Sequence, residues 1–576
     1  MSKRGLSPAP LPPAKRLHNA RLSSQEQRLI TTFDNALYDE LILFILSFLN
    51  SRDLCAIQAT NRNCERLASD NQLWKALFVR EYGKARLRGG RGFYRQPGGR
   101  PMKPFPLRAS VSASSVDDSV NWKWMYRISS NWKNGRCAVE NYSGAEDVTN
   151  QALVPPSAFP RQHVLLAGGF TVSSTKPHAS SLLVRDNNGT SRTLLCRSTL
   201  ATSAAEISAI ALDQSPSILS PSNILRLAAF LITGEFSIFE HDHSSPSSTT
   251  SPKQTYVPSA PHRASPVTHA AYNHPLLVTL SHSFTLMIYD LSNDCITRTQ
   301  TLTSFTSHPP TSLVLSAMPS AASYKLVMAY AIPVYPAHWS VGATELIISP
   351  LGVIPRKRTF SPTSTTDSSP PGAFEVSVTR SARAFDVPQG WIDEQKLQLM
   401  RDQWGRKVKR VADTQTDGKW VVLAPGDVTD FSPISQGSSE GSTASQEAHP
   451  RPPATPSYIS PPSHSSTHLQ LYRLHMPPLS SSSAHTPKLT FVRTLHGPLG
   501  PVCALSLADG RCVSLSANGG IWVWDLEGGD GTEVAGPVEG SFAGTTGTIK
   551  HGTIAFDERR IVSAGVRGIE ERRFDI

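Results

Sequence analysis

The chain is predicted to be mainly β, built from repeated short-strand units and preceded by a small α-helical domain. Three observations predict this. From about residue 137 onward, short apolar runs alternate with turn residues and helical periodicity almost disappears. Residues 35–83 have the opposite texture, with apolar residues at helical spacing. Three units of similar layout end in an aromatic-Asp pair, at Tyr289-Asp290, Trp524-Asp525 and Phe574-Asp575. The length of 576 residues fits two to four domains, and 39% hydrophobic content supports real cores beside much polar filler.

Residues 1–32 are expected to be a disordered basic tail. Residues 1–110 hold 19 Lys+Arg against 8 Asp+Glu, which is the whole excess of +11. Lys3-Arg4 and Lys15-Arg16 flank a Pro-rich spacer, a spacing that suits a two-part nuclear-import signal. The plainer reading is a solvated tail. No apolar run reaches the ~18 residues of a membrane span, and the N-terminus lacks the apolar stretch of a secretory signal. The expected location is therefore nucleus, cytoplasm or both, with no membrane partner.

The helical domain is placed at residues 33–83. Leu41–Leu49 reads LILFILSFL and stops at Asn50-Ser51-Arg52-Asp53, where Asn50 or Ser51 can cap the next helix and Asp53 favours its first turn. A third helix over Asn71–Tyr82 carries Leu73, Trp74, Leu77 and Phe78. A helix that is apolar on every side exceeds what a domain of this size can bury, so something must cover it.

This segment resembles the F-box. The matching residues are Leu37, Glu40-Leu41, Ile45-Leu46, Phe48-Leu49, Asp53-Leu54, Arg62, Leu67, Asp70 and Leu73-Trp74-Lys75. Tyr38 stands where the family has Pro, and Cys64 where it has Trp. The resemblance implies docking on a Skp-type adaptor of a cullin–RING ubiquitin ligase. Leu37, Leu41, Ile45, Leu46, Leu49, Leu54, Leu73 and Trp74 are the adaptor-binding candidates it gives.

Residues 84–120 are expected to be a flexible basic linker. Segment 84–108 has eight basic residues and no acid, and Arg88–Phe93 looks like one short RGG element. Such elements bind RNA through phosphates and stacking, but single copies are weak, and the prediction is against a nucleic-acid partner. Residues 121–136 read as a Trp-rich connector, with Trp122, Tyr126 and Trp132 forming a satellite core.

The repeats begin near 137. In 501–526, Asp509-Gly510 and Asn518-Gly519 supply the positive φ of tight hairpins between three strands. Val502 to Asp525 spans 23 positions, as does Val267 to Asp290. A third copy ends at Phe574-Asp575. Weaker copies fit 205–240, 311–350 and 374–474, with one more before 200. Aromatic-Asp endings on such units resemble degenerate WD repeats, which implies a β-propeller of about seven blades over 137–576. Having no tail after Phe574-Asp575, the last blade is expected to draw its outer strand from near Cys137–Tyr142. Polar insertions at 241–265, 355–372, 432–467 and 478–487 are expected to be disordered; 21 of the 36 residues in 432–467 are Ser, Thr or Pro.

The seven cysteines are scattered with no CxxC pair, and no phosphate loop, GxSxG or HExxH occurs. His241, Asp242 and His243 could suggest a metal site but are expected to be solvated. The sequence therefore predicts no catalytic residue, cofactor or metal. Together, the resemblance to F-box/WD-repeat proteins implies a non-catalytic substrate receptor whose propeller binds a protein substrate, phosphorylated or not. The alternative is a WD-repeat scaffold or RNA-associated protein using its basic linker.

Overall fold

The computed structural model describes residues 33–83, 121–142, 162–174, 180–186, 189–201, 205–215, 224–242, 251–259, 265–293, 295–318, 323–334, 337–350, 374–387, 390–426, 466–477, 486–537, 552–565 and 568–576. The basic tail, the RGG-like segment and most of the insertions lie outside the described residues. The chain divides into two compact units, Met1–Leu77 and Phe78–Ile576.

The first unit is helical, with α1 (Phe33–Ala36), α2 (Asp39–Leu46), α3 (Ser51–Gln58), α4 (Arg62–Ala68) and α5 (Asn71–Phe78), the last continuing as a π-turn over Val79–Gly83. Side chains start three of these helices by accepting bonds from otherwise unpaired backbone N–H groups. The Asn50 carbonyl accepts from Arg52 and Asp53, Asn61 from Cys64 at 2.8 Å, and Asp70 from Gln72 and Leu73. Ile42, Leu46, Leu54, Leu67 and Trp74 are buried, and the Trp74 indole donates to the Ala68 carbonyl at 2.8 Å.

The second unit is a seven-bladed β-propeller. Seven four-stranded antiparallel sheets cover 164–195, 207–256, 267–303, 308–383, 411–499, 502–535 and 553–573, numbered here as blades 1 to 7. The inner strands touch in a closed ring, blade 7 meeting blade 1. Each core cluster joins two neighbouring blades. Phe236 of blade 2 packs with Tyr272 and Tyr289 of blade 3, and Val164 of blade 1 packs with Val562 of blade 7. Strands apolar on both faces, such as Leu276–Ser281, become possible only because each sheet is sandwiched between two others.

Turn chemistry sets the registers. In blade 6, Asp509 and Gly510 both take positive φ, 47° and 71°, and join Val502–Ala508 to Arg511–Ser516 with Leu507 opposite Cys512. Blade 7 closes the ring with a strand from early in the chain, the region expected to supply it. Its outer strand is Ala138–Asn141, paired antiparallel with Gly568–Arg573, Ala138 opposite Arg573.

Helix α6 (Trp122–Asn134) leads into that strand. It ends at Gly135, whose φ of +65° and contact with the Glu533 carbonyl leave no room for a side chain. The connector is a helix, as expected, with Trp122 packed on Phe78 at 5.5 Å and Tyr126 on Tyr82 at 5.3 Å, while its C-terminal half meets the last blades. Trp132 stacks on Phe574 with centroids 3.9 Å apart, and its indole donates to the Glu558 carbonyl at 2.9 Å. Across the same seam, Arg560 reaches Asp557 and Glu571 at 3.2 Å each. It also donates to the Gly168 and Phe170 carbonyls of blade 1 at 3.0 and 3.2 Å.

Three expectations need correction. The units placed at 311–350 and 374–474 are divided differently. Phe374–Arg383 is the outer strand of blade 4, paired with the strand His338–Pro350, and blade 5 begins at Val411. A long insertion separates those two strands in sequence, so only the register reveals their pairing. The insertion at 241–265 contains a strand, Gln254–Tyr256, which completes blade 2 against Phe236–Ile238. Its three residues are too few to show alternation. Finally, helix α7 (Glu394–Gly405), capped by Asp393, lies between blades 4 and 5, where strands alone were expected; none of its residues is buried, so no apolar stripe marks it.

Candidate functional site

Two surfaces stand out. The first is α2. Two acids, Asp39 and Glu40, begin the helix where its dipole favours them, and Asp39 meets Arg66 at 2.7 Å in an exposed pair of little energetic weight. With 3.6 residues per turn, Ile42 and Leu46 fall on one stripe and are buried. The opposite stripe stays open. Leu41 is 50% exposed, Phe44 64%, Ile45 43% and Phe48 71%, with Phe44 and Phe48 edge to face at 5.1 Å. Tyr38, at the start of the helix, is exposed as well.

The candidates chosen from sequence thus separate by burial. Leu41 and Ile45 lie on the open stripe, and Leu37 and Leu49 are half-buried. Leu46, Leu54, Leu73 and Trp74 are buried. Phe44, Phe48 and Tyr38 are exposed beside Leu41 although none was among the adaptor-binding candidates. The helical period taken from Ile42 and Leu46 would have found Phe44 and Phe48.

The aromatic-Asp pairs occupy equivalent places at the ends of the third strands of blades 3, 6 and 7. The aromatic ring enters the seam between blades, and burial pushes the Tyr289 phenol up. The acid holds the following turn: Asp290 accepts from the Ser292 amide at 2.8 Å and Asp525 from Glu527 at 3.1 Å. Asp575 instead pairs with Arg573 at 3.2 Å. These six residues build the blades.

The family model described as F-box-like matches residues 39–80. The first unit carries an F-box-like domain. The F-box-like domain and the WD40-like propeller together make an architecture typical of SCF substrate receptors, and an F-box implies binding of a Skp-type adaptor. No curated protein matches the chain. Among solved structures, the Myceliophteria thermophila Cps50 (Swd1) β-propeller domain is similar at 12% identity, covering 72% of this chain and 97% of that one, with a TM-score of 0.34. The C-terminal WD40 domain of Sif2 is 11% identical, covering 71% and 81%, with a TM-score of 0.31. The computationally designed Ika8 protein is 11% identical, covering 72% and 96%, with a TM-score of 0.30.

The second surface is the bore of the propeller, a cavity of about 850 Å³ lined by the inner strands of all seven blades. Its described lining holds two carboxylates, Glu206 and Asp413, several histidines, and no Lys or Arg. Asp413 is spent on structure, accepting from Thr414, Gln415 and the Leu505 amide. His269 sits 3.2 Å from the hydroxyls of both Thr268 and Thr311.

Of the suspected His-Asp-His cluster, His241 is buried in its strand with its ring edge on Phe170, not solvated, and His243 lies outside the described residues. Among the described residues no three His, Cys, Asp or Glu side chains could share an ion. His308 and Trp339, distant in sequence, meet at 5.3 Å. Among the described residues no helix is long and apolar enough to cross a membrane.

Proposed function

We propose that the protein is the substrate-recognition subunit of an SCF-type ubiquitin ligase. Its α2 stripe docks on a Skp-type adaptor, and its propeller holds the protein to be ubiquitinated. The observation that carries this is the open stripe of Leu41, Phe44, Ile45 and Phe48 within the F-box-like segment. Contiguous apolar groups left in water mark an interaction surface. The contribution to chemistry is proximity. Holding a substrate beside the ubiquitin-loaded enzyme raises the effective concentration of its lysines and requires no catalytic side chain from the receptor.

Co-purification tests it. The tagged full chain should retain a Skp-type adaptor, and Leu41→Asp with Ile45→Asp should lower that retention by at least about a hundredfold, because two unpaired charges would be desolvated in an apolar interface. Undiminished adaptor retention by the double variant would refute the docking surface.

A further inference from the structure

The two outermost strands of blade 5, Ser466–His475 and Lys488–Leu499, set two histidines directly opposite one another, His468 against His496. Opposed residues of an antiparallel pair project from the same face, with Cβ atoms about 4.5–5.5 Å apart. Their neighbours Leu469 and Leu495 take the other face and pack toward blade 6, with Val502 and Trp524. The histidines share their face with Gln470, whose side-chain amide donates to the Arg406 carbonyl at 2.9 Å. A register irregularity between Ser466 and His468 immediately precedes the pair. Irregularities of this kind re-aim side chains.

Both side chains are exposed, with ring centroids 6.3 Å apart and planes 40° apart. Their ring nitrogens are uncommitted. Among the described residues neither His468 nor His496 forms a hydrogen bond, and each meets the other's ring. Histidines elsewhere in the propeller are engaged. His269 sits between two threonine hydroxyls, His274 lies 3.4 Å from the Tyr272 hydroxyl, and His241 and His308 set their rings against Phe170 and Trp339.

Two open imidazoles across one strand pair form a donor set. Rings that share an ion through nitrogens about 2.1 Å from it have centroids at most about 6.4 Å apart, and about 5.2 Å apart at a tetrahedral angle. Rotation of two exposed side chains supplies the difference of about 1 Å with no movement of the backbone. The nature of the donors selects the ion. Mg²⁺ and Ca²⁺ are hard cations that take oxygen ligands, whereas imidazole suits Zn²⁺, Ni²⁺ and Cu²⁺. Two protein ligands leave the other coordination positions to water, so the ion exchanges more freely than one closed in by four.

We propose that His468 and His496 form a two-imidazole clip for one divalent transition ion of the Zn²⁺, Ni²⁺ and Cu²⁺ class. The ion ties the two outermost strands of blade 5 together. The clip stands independently of the receptor reading above.

The test is calorimetric titration of the full chain with Ni²⁺ near neutral pH in a weakly coordinating buffer. The first equivalent should fill one saturable site. His468→Asn and His496→Asn should each lower its affinity by at least about tenfold, since even the outer-shell partners of a bound metal contribute about 10- to 100-fold. The double variant should lose little more than either single one, because removing one ring already opens the clip. His475→Ala, on the same strand but opposite Lys488, should bind as the unaltered chain does. Zn²⁺ should compete for the site and excess Mg²⁺ should not. Sites made by other side chains, the exposed Cys55 and Cys295 thiols included, persist in the variants and cancel in the comparison. Melting curves without metal should coincide, both side chains being exposed and asparagine being of similar size. No saturable site in the unaltered chain, undiminished affinity in either single variant, or displacement of Ni²⁺ by Mg²⁺ would each overturn the proposal.

Discussion

Helix α2 and the strand Leu276–Ser281 of blade 3 are both dense in leucine and other apolar residues, yet they meet opposite fates. All six strand residues are buried, whereas Leu41, Phe44 and Ile45 of the helix face outward. The difference lies in the surroundings. A blade has a sheet on each side, so both faces of its strands find partners. Five short helices can cover one stripe of α2 and no more. Equal hydrophobicity therefore signifies core in one region and contact surface in the other.

That contrast can be broken most severely at the propeller seam. Removing 566–576 deletes the strand lying between Ala138–Asn141 and Arg560–Gly565, together with the Phe574 ring on Trp132. Two strand edges would open, that of Arg560–Gly565 apolar and now buried, and the product should be insoluble. A soluble truncated chain with one sharp melting transition would mean that blade 7 does not depend on its final strand.

Next in size is Arg560→Leu. Arg560 is 5% exposed, and its loss leaves the Asp557 and Glu571 carboxylates and two blade 1 carbonyls without it. Breaking one side of a buried ion cluster costs about 3–5 kcal/mol. Chemical denaturation should show a loss of that order, and a change below about 1 kcal/mol would show that the seam holds without the cluster.

A smaller, pH-dependent effect is expected in blade 4. Burial alone would raise the Glu345 carboxyl, but Lys325 at 2.5 Å and Arg380 hold it below the usual carboxylate range. Its folded value is thus lower than its unfolded one. The stability it contributes is complete above about pH 4.3 and disappears as pH falls through the lower, folded value. The melting-temperature gap between the unaltered chain and Glu345→Gln should be constant near neutrality and narrow below that pH. A gap that stays constant into acid would assign the effect to packing.

The smallest effect belongs to α2. Leu41→Asp with Ile45→Asp, on the open stripe, should change folding stability by no more than about 0.5 kcal/mol per site, however strongly it affects adaptor binding. A large fall in melting temperature would place those side chains in a core.

The helical unit was legible because its signals are local. Asn50 caps where the apolar run stops, and Leu73, Trp74 and Leu77 repeat at helical spacing. Blades 3 and 6 were equally legible, since turns of two to six residues join their strands, rich in Gly, Asn and Asp in blade 6. Blades 2, 4 and 5 were harder. Their outer strands lie beyond long polar segments, and pairing across such a gap leaves no trace in nearby residues.

The sequence by itself determined the helices that carry an apolar stripe, most strands and the Gly-rich turns of blade 6, because caps, turns and apolar periods act over a few residues. Tertiary structure alone decided which apolar residues remain in water. Leu41 and Leu46 look alike in the sequence and differ only in what packs beside them. It alone also lined one bore with the inner strands of all seven blades, since a closed ring of sheets brings together residues as far apart in the chain as His163 and Thr553.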